Sequence, residues 1–285
     1  MRKFSHKKNF GHALLVSGSY GKMGAAVLAS KGCLRTGAGL LTVHVPSFGY
    51  GIIQTSVPEA MTSIDIYNKV ITNIPLNENF NAIGIGPGIG KSQKTQEAIK
   101  ELFLNTHVPL VIDADALNIL ADNKDWINKI SSDCIFTPHP KEFERLAGLS
   151  KDGYSRLHIQ IDFAIKYNLY IVLKGAYTSI ACPDGTCYLN STGNPGMATG
   201  GSGDVLTGMI LSLLAQGYPM KDAALTGVFI HGLAGDIAAD ELGEEALIAG
   251  DIVNYIGKAF RYLRKRKGEP EVAEKITGIA SDTDI

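Results

Sequence analysis

An α/β fold, with a mainly parallel central sheet, helices on both faces and an antiparallel hairpin at one edge, is predicted by three features of this sequence. Short runs that are apolar throughout alternate with stretches of helical periodicity, the pattern of parallel strands covered on both sides. Glycine-rich or polar clusters follow directly on several of those runs, where open parallel sheets bind their ligands. Late in the chain, the dipeptide Asp184-Gly185 marks a tight hairpin turn.

The strand candidates are residues 12–18, 40–45, 81–86, 109–114, 134–137 and 170–175, followed by a hairpin near 177–190. Helical periodicity falls on residues 22–35, 92–105, 140–147, 155–167, 203–216, 221–240 and 250–265. No internal repeat or long linker divides them, so residues 1–285 are expected to form one domain, with a polar, loosely held tail EPEVAEKITGIASDTDI.

Composition narrows the function. With 285 residues, 45% of them hydrophobic, and a net charge of -1, the chain can bury a large core but has no basic excess for nucleic acid or an anionic membrane. The cluster Arg261, Arg264, Lys265, Arg266 and Lys267 fits a solvated helix end. No run approaches the ~18 apolar residues of a membrane span, and the interrupted apolar stretch near the N-terminus fits a first strand better than a cleaved signal. Cys33, Cys134, Cys182 and Cys187 lack metal-site spacing and read as reduced cytoplasmic thiols, although the hairpin could set Cys182 opposite Cys187.

The chemistry concentrates at Asn194 to Asp204, NPGMATGGSGD, which runs into the helix pattern VLTGMILSLL. Gly200, Gly201 and Gly203 let an anion reach backbone amides at a helix start, with the positive end of the dipole behind them. Asp204 would repel a phosphate unless it faces a reacting hydroxyl, and a proton acceptor beside an anion cradle is what phosphoryl transfer to an alcohol needs. Capping by Ser202 or Asp204 would explain the same residues without catalysis.

Other strand ends add candidates. Gly86, Pro87 and Gly88 leave their strand with no bulky side chain. Asp113, Asp115 and Asn118 follow the next run, Asp113 as a helix cap and Asp115 or Asn118 as functional oxygens. His139, between two prolines, reads as a placed imidazole, while Glu142 could serve the helix dipole alone. Lys174 could steady a nucleotide phosphate or be a snorkelling surface lysine. There is no GxxxxGK loop ending in Ser or Thr, no GxGxxG after the first strand, and no nucleophile elbow or HExxH signature.

Taken in order, HKKNFGHALLVSGSYGKMGAAVLASKGCLRTGAGLLTVHVP, PEAMT, GPGIG, VIDADALNIL, TPHPKEFERL, LKGAYTSI, GNPGMATGGSGDVLTGMI and GDIAADELGEEALIAGDIV resemble the ribokinase-like superfamily. Within it the likeness is to the ADP- or ATP-dependent (S)-NAD(P)H-hydrate dehydratases, nearly throughout the chain. Some members carry an additional epimerase domain, which is not expected here. The resemblance implies a repair reaction in which the ring hydroxyl of hydrated NADH or NADPH is phosphorylated and phosphate is then eliminated. It makes Asp204 the base and the amides of Gly201, Ser202 and Gly203 the anion hole. Ala38, Gly88, His139 and Asp204 would line the hydrate site; Lys174, Gly175, Ala176, Tyr177, Thr178 and Gly203 would hold the adenine nucleotide.

The resemblance also implies Mg2+ on the nucleotide phosphates without direct protein ligands, and a homo-oligomer such as a tetramer. ADP is the expected co-substrate, with ATP as the alternative. A vitamin-precursor kinase (hydroxyethylthiazole or hydroxymethylpyrimidine type) would share the fold and the aspartate. A nucleotide-sensing protein that had lost catalysis would not need Asp204.

Overall fold

The computed structural model describes residues 6–76, 79–130 and 133–266. The tail from residue 267 on, including Lys267 of the basic cluster, lies outside them. In chain order the elements are β1 (His12–Val16), α1 (Met23–Thr36), β2 (Leu40–Val45), α2 (Tyr50–Ser56), β3 (Met61–Ile64), β4 (Ala82–Ile85), α3 (Gln93–Asn105), β5 (Leu110–Ile112) and α4 (Ala114–Asp122). They continue with β6 (Cys134–Phe136), α5 (Pro140–Ala147), α6 (Gly153–Tyr167), β7 (Tyr170–Leu173), β8 (Ser179–Ala181), β9 (Cys187–Leu189), α7 (Ser202–Ala215), α8 (Met220–Leu242) and α9 (Ala249–Arg266).

The strands form one nine-stranded sheet in the order β3-β2-β1-β4-β5-β6-β7-β8-β9. Pairing is parallel from β3 across to β7, with Leu14 beside Thr42 on one side and Ile83 on the other. The β8–β9 hairpin then adds antiparallel to β7, as expected from Asp184-Gly185. Its register pairs Cys187 with Ala181, and the Cys182 amide donates to Thr186, so the two thiols are not directly opposed; all four cysteines are free.

Alternation along the strands builds two cores. Leu14, Val16, Ile83 and Ile85 pack against residues of α3 to α6 on one face. Ala13, Leu15, Leu41 and Val43 pack on the other against α1, α7 and α8. Helix α9 adds an outer layer, its Ile252 and Ile256 meeting Val205 and Met209. Covered by the sheet on one side and α9 on the other, α7 is buried nearly all round. Its closest neighbour is α1, and glycines make the crossing possible: a Cβ on Gly208 would collide with the Ala29 carbonyl, and one on Gly32 would sit 2.6 Å from the Val205 carbonyl oxygen.

Two elements escaped the sequence reading. β3 is a short edge strand whose outer residues, Met61 and Ile64, are exposed, and α2 buries little beyond Ile53, so neither carries a strong period.

Candidate functional site

The carboxyl ends of β1, β4, β5, β6 and β7 converge on the start of α7. Gly201 takes φ +93°, and α7 begins without any side-chain cap, which leaves its first turn open to an outside acceptor. Ser202 is buried, and its amide makes only a long 3.4 Å bond to Thr199. A Cβ on Gly203 would stand 3.1 Å from Lys174 Nζ and 3.9 Å from Asp113 Oδ2. Glycine here thus lets the helix start, the lysine and the carboxylate share one small space. A side chain on Gly200 would meet nothing, so that glycine is not forced by packing.

Asp113 is not the helix cap the sequence suggested. It occupies the position before α4, but its side chain makes no capping bond. Instead its carboxylate, 1% exposed, accepts from Lys174 Nζ at 2.8 Å and from Thr207 Oγ1 at 2.7 Å. Lys174 is correspondingly no snorkelling surface residue, and its amide donates to the Pro138 carbonyl at 2.9 Å, joining the ends of β6 and β7.

Asp204, half-buried on the first turn of α7, is the electrostatic centre. Its pKa is raised to about 6, first by burial and then by the negative charge of Asp113, against the pull of Lys174; Asp115 and Glu142 add to the rise. A carboxylate with so high a proton affinity accepts a hydroxyl proton far better than an exposed aspartate does.

The other predicted residues divide. Asp115 belongs to the cleft, its Oδ2 accepting from Lys22 Nζ at 3.0 Å and from the Gly90 amide at 2.9 Å. Asn118 does not: it accepts from Arg145 Nη1 at 2.6 Å and donates to the Ala114 carbonyl, bracing α4 against α5. Gly88 has φ +65° and lies against the start of α1, where a Cβ would be 2.8 Å from the Lys22 carbonyl oxygen and 3.1 Å from the Ala25 Cβ. Hydroxyls of Ser17 and Ser19 donate to the Pro87 and Gly88 carbonyls at 2.6 and 2.7 Å, fixing that turn.

His139 caps α5. Its Nδ1 accepts from the amides of Lys141 and Glu142 at 3.1 and 3.3 Å, which leaves the proton on Nε2, and Glu142 closes the box by accepting from the His139 amide at 2.9 Å. The proline-flanked imidazole is thus held at the start of α5, and Glu142 does more than serve the dipole. Gly175, Ala176, Tyr177 and Thr178 form the turn from β7 into β8, where the Gly175 amide donates to Thr178 Oγ1 and Tyr177 is exposed.

Ala38 is not brought to this gathering. It precedes β2, so it sits at the amino end of the sheet, about 20 Å from the cleft given the rise of a six-residue strand. Its amide donates to Ser212 Oγ at 2.9 Å, near the far end of α7. The alanine that does flank Gly88 is Ala25.

Besides Thr207 and Lys22, two contributors on α8 were missed. His231 on α8 is buried beneath the start of α7, with Nε2 3.0 Å from the Ser202 carbonyl oxygen and 3.4 Å from Ser202 Oγ. Burial, aided by Lys174, pushes its pKa down to about 4, so near neutral pH the ring is uncharged and its N–H donates to that carbonyl. Asp236, one turn further along α8, accepts from the Gly193 amide at 2.9 Å and Asn194 Nδ2 at 3.0 Å, anchoring the loop before α7. A single histidine or aspartate within an apolar helix gives no pattern by which to find it.

A cavity of about 360 Å³ opens elsewhere, between the β8–β9 hairpin and α8, lined by Ile180, Tyr188, Leu225 and Phe229. It has no carboxylate, amine or imidazole in its walls and is not the reaction centre.

A mainly parallel sheet with an antiparallel edge, carrying an uncapped glycine-rich helix start and an adjacent aspartate at its carboxyl end, defines a ribokinase-like protein. The sequence model of the NAD(P)H-hydrate dehydratase family matches residues 13–258, and the chain belongs to that family. It is 36% identical over 259 residues to the ADP-dependent (S)-NAD(P)H-hydrate dehydratase of Bacillus subtilis, covering 90% of this chain and 91% of that one. It is 40% identical over 273 residues to the bifunctional NAD(P)H-hydrate repair enzyme of Moorella thermoacetica, covering 91% of this chain and 51% of the relative. The chain thus spans about half the length of the bifunctional relatives it matches. Among solved structures, the Bacillus subtilis ADP/ATP-dependent NAD(P)H-hydrate dehydratase co-crystallised with ATP and Mg2+ superposes with a TM-score of 0.82 at 34% identity, covering 92% of this chain and 93% of that one.

Proposed function

We propose that residues 1–285 act as one ribokinase-like unit that dehydrates the (S)-hydrate of NADH or NADPH at the expense of ADP, releasing AMP and phosphate. The observation that carries this reading is the proton-hungry Asp204 beside an uncapped helix start that Lys174 also faces.

Hydroxide is a poor leaving group and a phosphate ester a good one. Asp204 takes the proton of the ring hydroxyl as its oxygen attacks the terminal phosphorus of ADP, and AMP departs. The amides of Gly201, Ser202 and Gly203 hold the transferring phosphoryl group, with Lys174 adding positive charge. The ring nitrogen's electron pair then expels phosphate, and loss of a proton from the neighbouring ring carbon to the departing phosphate or to water restores the reduced nicotinamide. Gly88, Ala25 and His139 bound the hydrate side of the cleft, and Lys174 to Thr178 with Gly203 the nucleotide side.

Mg2+ fits as an ion carried on the nucleotide phosphates, whose charge it would neutralise. The carboxylate oxygens available, on Asp113 and Asp115, are hard donors, but each is already bonded to a lysine. A cytoplasmic location is proposed on the free cysteines; among the described residues no helix is long and apolar enough to cross a membrane. A homo-oligomer, such as a tetramer, is the proposed assembly, which light scattering tests.

The deciding experiment mixes the protein with hydrated NADH and either ADP or ATP and follows the absorbance of the reduced nicotinamide. Recovery with ADP supports the proposal, and faster recovery with ATP would reassign the co-substrate. Phosphorylation of a thiazole or pyrimidine alcohol without recovery would establish a vitamin-precursor kinase instead.

A further inference from the structure

The rim of the cleft beside Gly88 carries an aromatic surface that the dehydration chemistry leaves unused. Tyr20 lies in the turn between β1 and α1, next to Ser19, which holds the Gly88 carbonyl; it is 66% exposed. Its ring leans on Phe48 with centroids 5.3 Å apart, and the Lys69 ammonium lies 4.8 Å from its centroid. Nearby, Lys94 Nζ stands 3.7 Å from the centroid of Tyr67, which is also exposed.

This surface is built rather than incidental. The Tyr20 amide donates to the Lys69 carbonyl at 3.2 Å, and the Ser47 and Phe48 amides donate to the carbonyls of Tyr67 and Asn68 at 3.0 and 3.4 Å. The segment that supplies those carbonyls is clamped by Asp65, 2% exposed, whose carboxylate accepts from the amides of Tyr67, Thr72 and Asn73 and from the Thr72 hydroxyl. One buried carboxylate with that many donors fixes the loop in a single shape.

An exposed ring on a fixed backbone, with one ammonium beside it, offers an aromatic surface for a base and a cation for the phosphate joined to it. The rim lies over β1 and β2, on the opposite side of Gly88 from Lys174 at the end of β7, so it does not serve the ADP side. Lys22 is already paired with Asp115, which leaves Lys69 as the cation beside Tyr20.

We propose that the Tyr20 turn, with Lys69, is a binding subsite for the second nucleoside of the dinucleotide substrate, the adenosine half that does not react. This rests on the functional reading above, which puts the reacting ring at Gly88. The test measures dehydration of hydrated NADH and of hydrated reduced nicotinamide mononucleotide, which lacks the adenosine half. Tyr20→Ala should raise KM for hydrated NADH about tenfold, the order expected for one lost stacking contact, with kcat and the KM for ADP unchanged. Tyr20→Trp should keep the wild-type KM, Lys69→Ala should raise it several-fold, and Tyr20→Ala should match the wild type on the mononucleotide. An unchanged KM in Tyr20→Ala, or an equal loss on both substrates, would overturn the subsite while wild-type activity left the dehydratase reading standing. Failure of the wild type to dehydrate either compound would overturn both.

Discussion

The two ends of α7 are built on opposite principles. At its start the helix has no side-chain cap, and a raised carboxylate sits beside a second one. At its end side chains and backbone are tied to one another: Ser212 Oγ accepts from the Ala38 amide, and Gln216 Nε2 donates to the Thr36 and Ser212 carbonyls and to Ser212 Oγ. A Cβ on Gly11 would run into the Ala215 carbonyl, so backbone closes directly on the helix terminus. One end secures the fold, whereas the other leaves its first turn uncapped beside a carboxyl whose charge is disfavoured. The same contrast explains why Ala38, for all its glycine-rich surroundings, belongs to the closed end.

The sharpest way to break the comparison is Asp204→Asn. Turnover should fall by about 10³-fold, within the range for a lost general base, while ADP affinity stays within a few-fold. In the wild type the acid limb of kcat should have its midpoint at about 6, since Asp204 must be ionised to accept a proton. Stability should follow the opposite sign. A carboxyl whose folded pKa is raised from 3.8 to about 6 stabilises the fold fully only below the lower value, and that contribution disappears as pH rises through the higher one. Thermal unfolding of Asp204→Asn across this window should lack the decline seen in the wild type; near-normal turnover would remove Asp204 from the base role.

Gly203→Val comes next. Its branched side chain would enter the space shared with Lys174 Nζ and Asp113, and the Kd for ADP should rise by about tenfold or more, measured by calorimetry. Unchanged binding would show that the nucleotide does not use this helix start. His231→Phe removes the donor that holds the Ser202 carbonyl, and kcat should drop about tenfold with little change in KM. His231→Gln, which can still donate, should recover most of it. The smallest effect is expected at the closed end: Ser212→Ala should cost about 1 kcal/mol in denaturant unfolding and leave kcat alone.

What could be read before folding follows the same division. Apolar strands, the Asp184-Gly185 turn and the Gly201–Asp204 junction announce themselves because their physics is local. β3 and α2 bury too little to show a period. Asp113 looked like a cap because a cap is what its position before α4 allows, whereas its real partners, Lys174 and Thr207, are 61 and 94 residues away. His231 reaches Ser202 across 29 residues from another helix, and only the packing of α8 on α7 reveals it.

The glycine crossing of α1 and α7 has a mechanical consequence. With Gly32 against Val205 and Gly208 against Ala29, neither helix can slide or roll on the other without collision. The Ala25 wall and the Asp204 carboxylate therefore travel as one rigid jaw, their separation set before any ligand arrives. Whatever closure accompanies binding must hinge outside this crossing, and relaxation measurements should find no millisecond motion between the two helices.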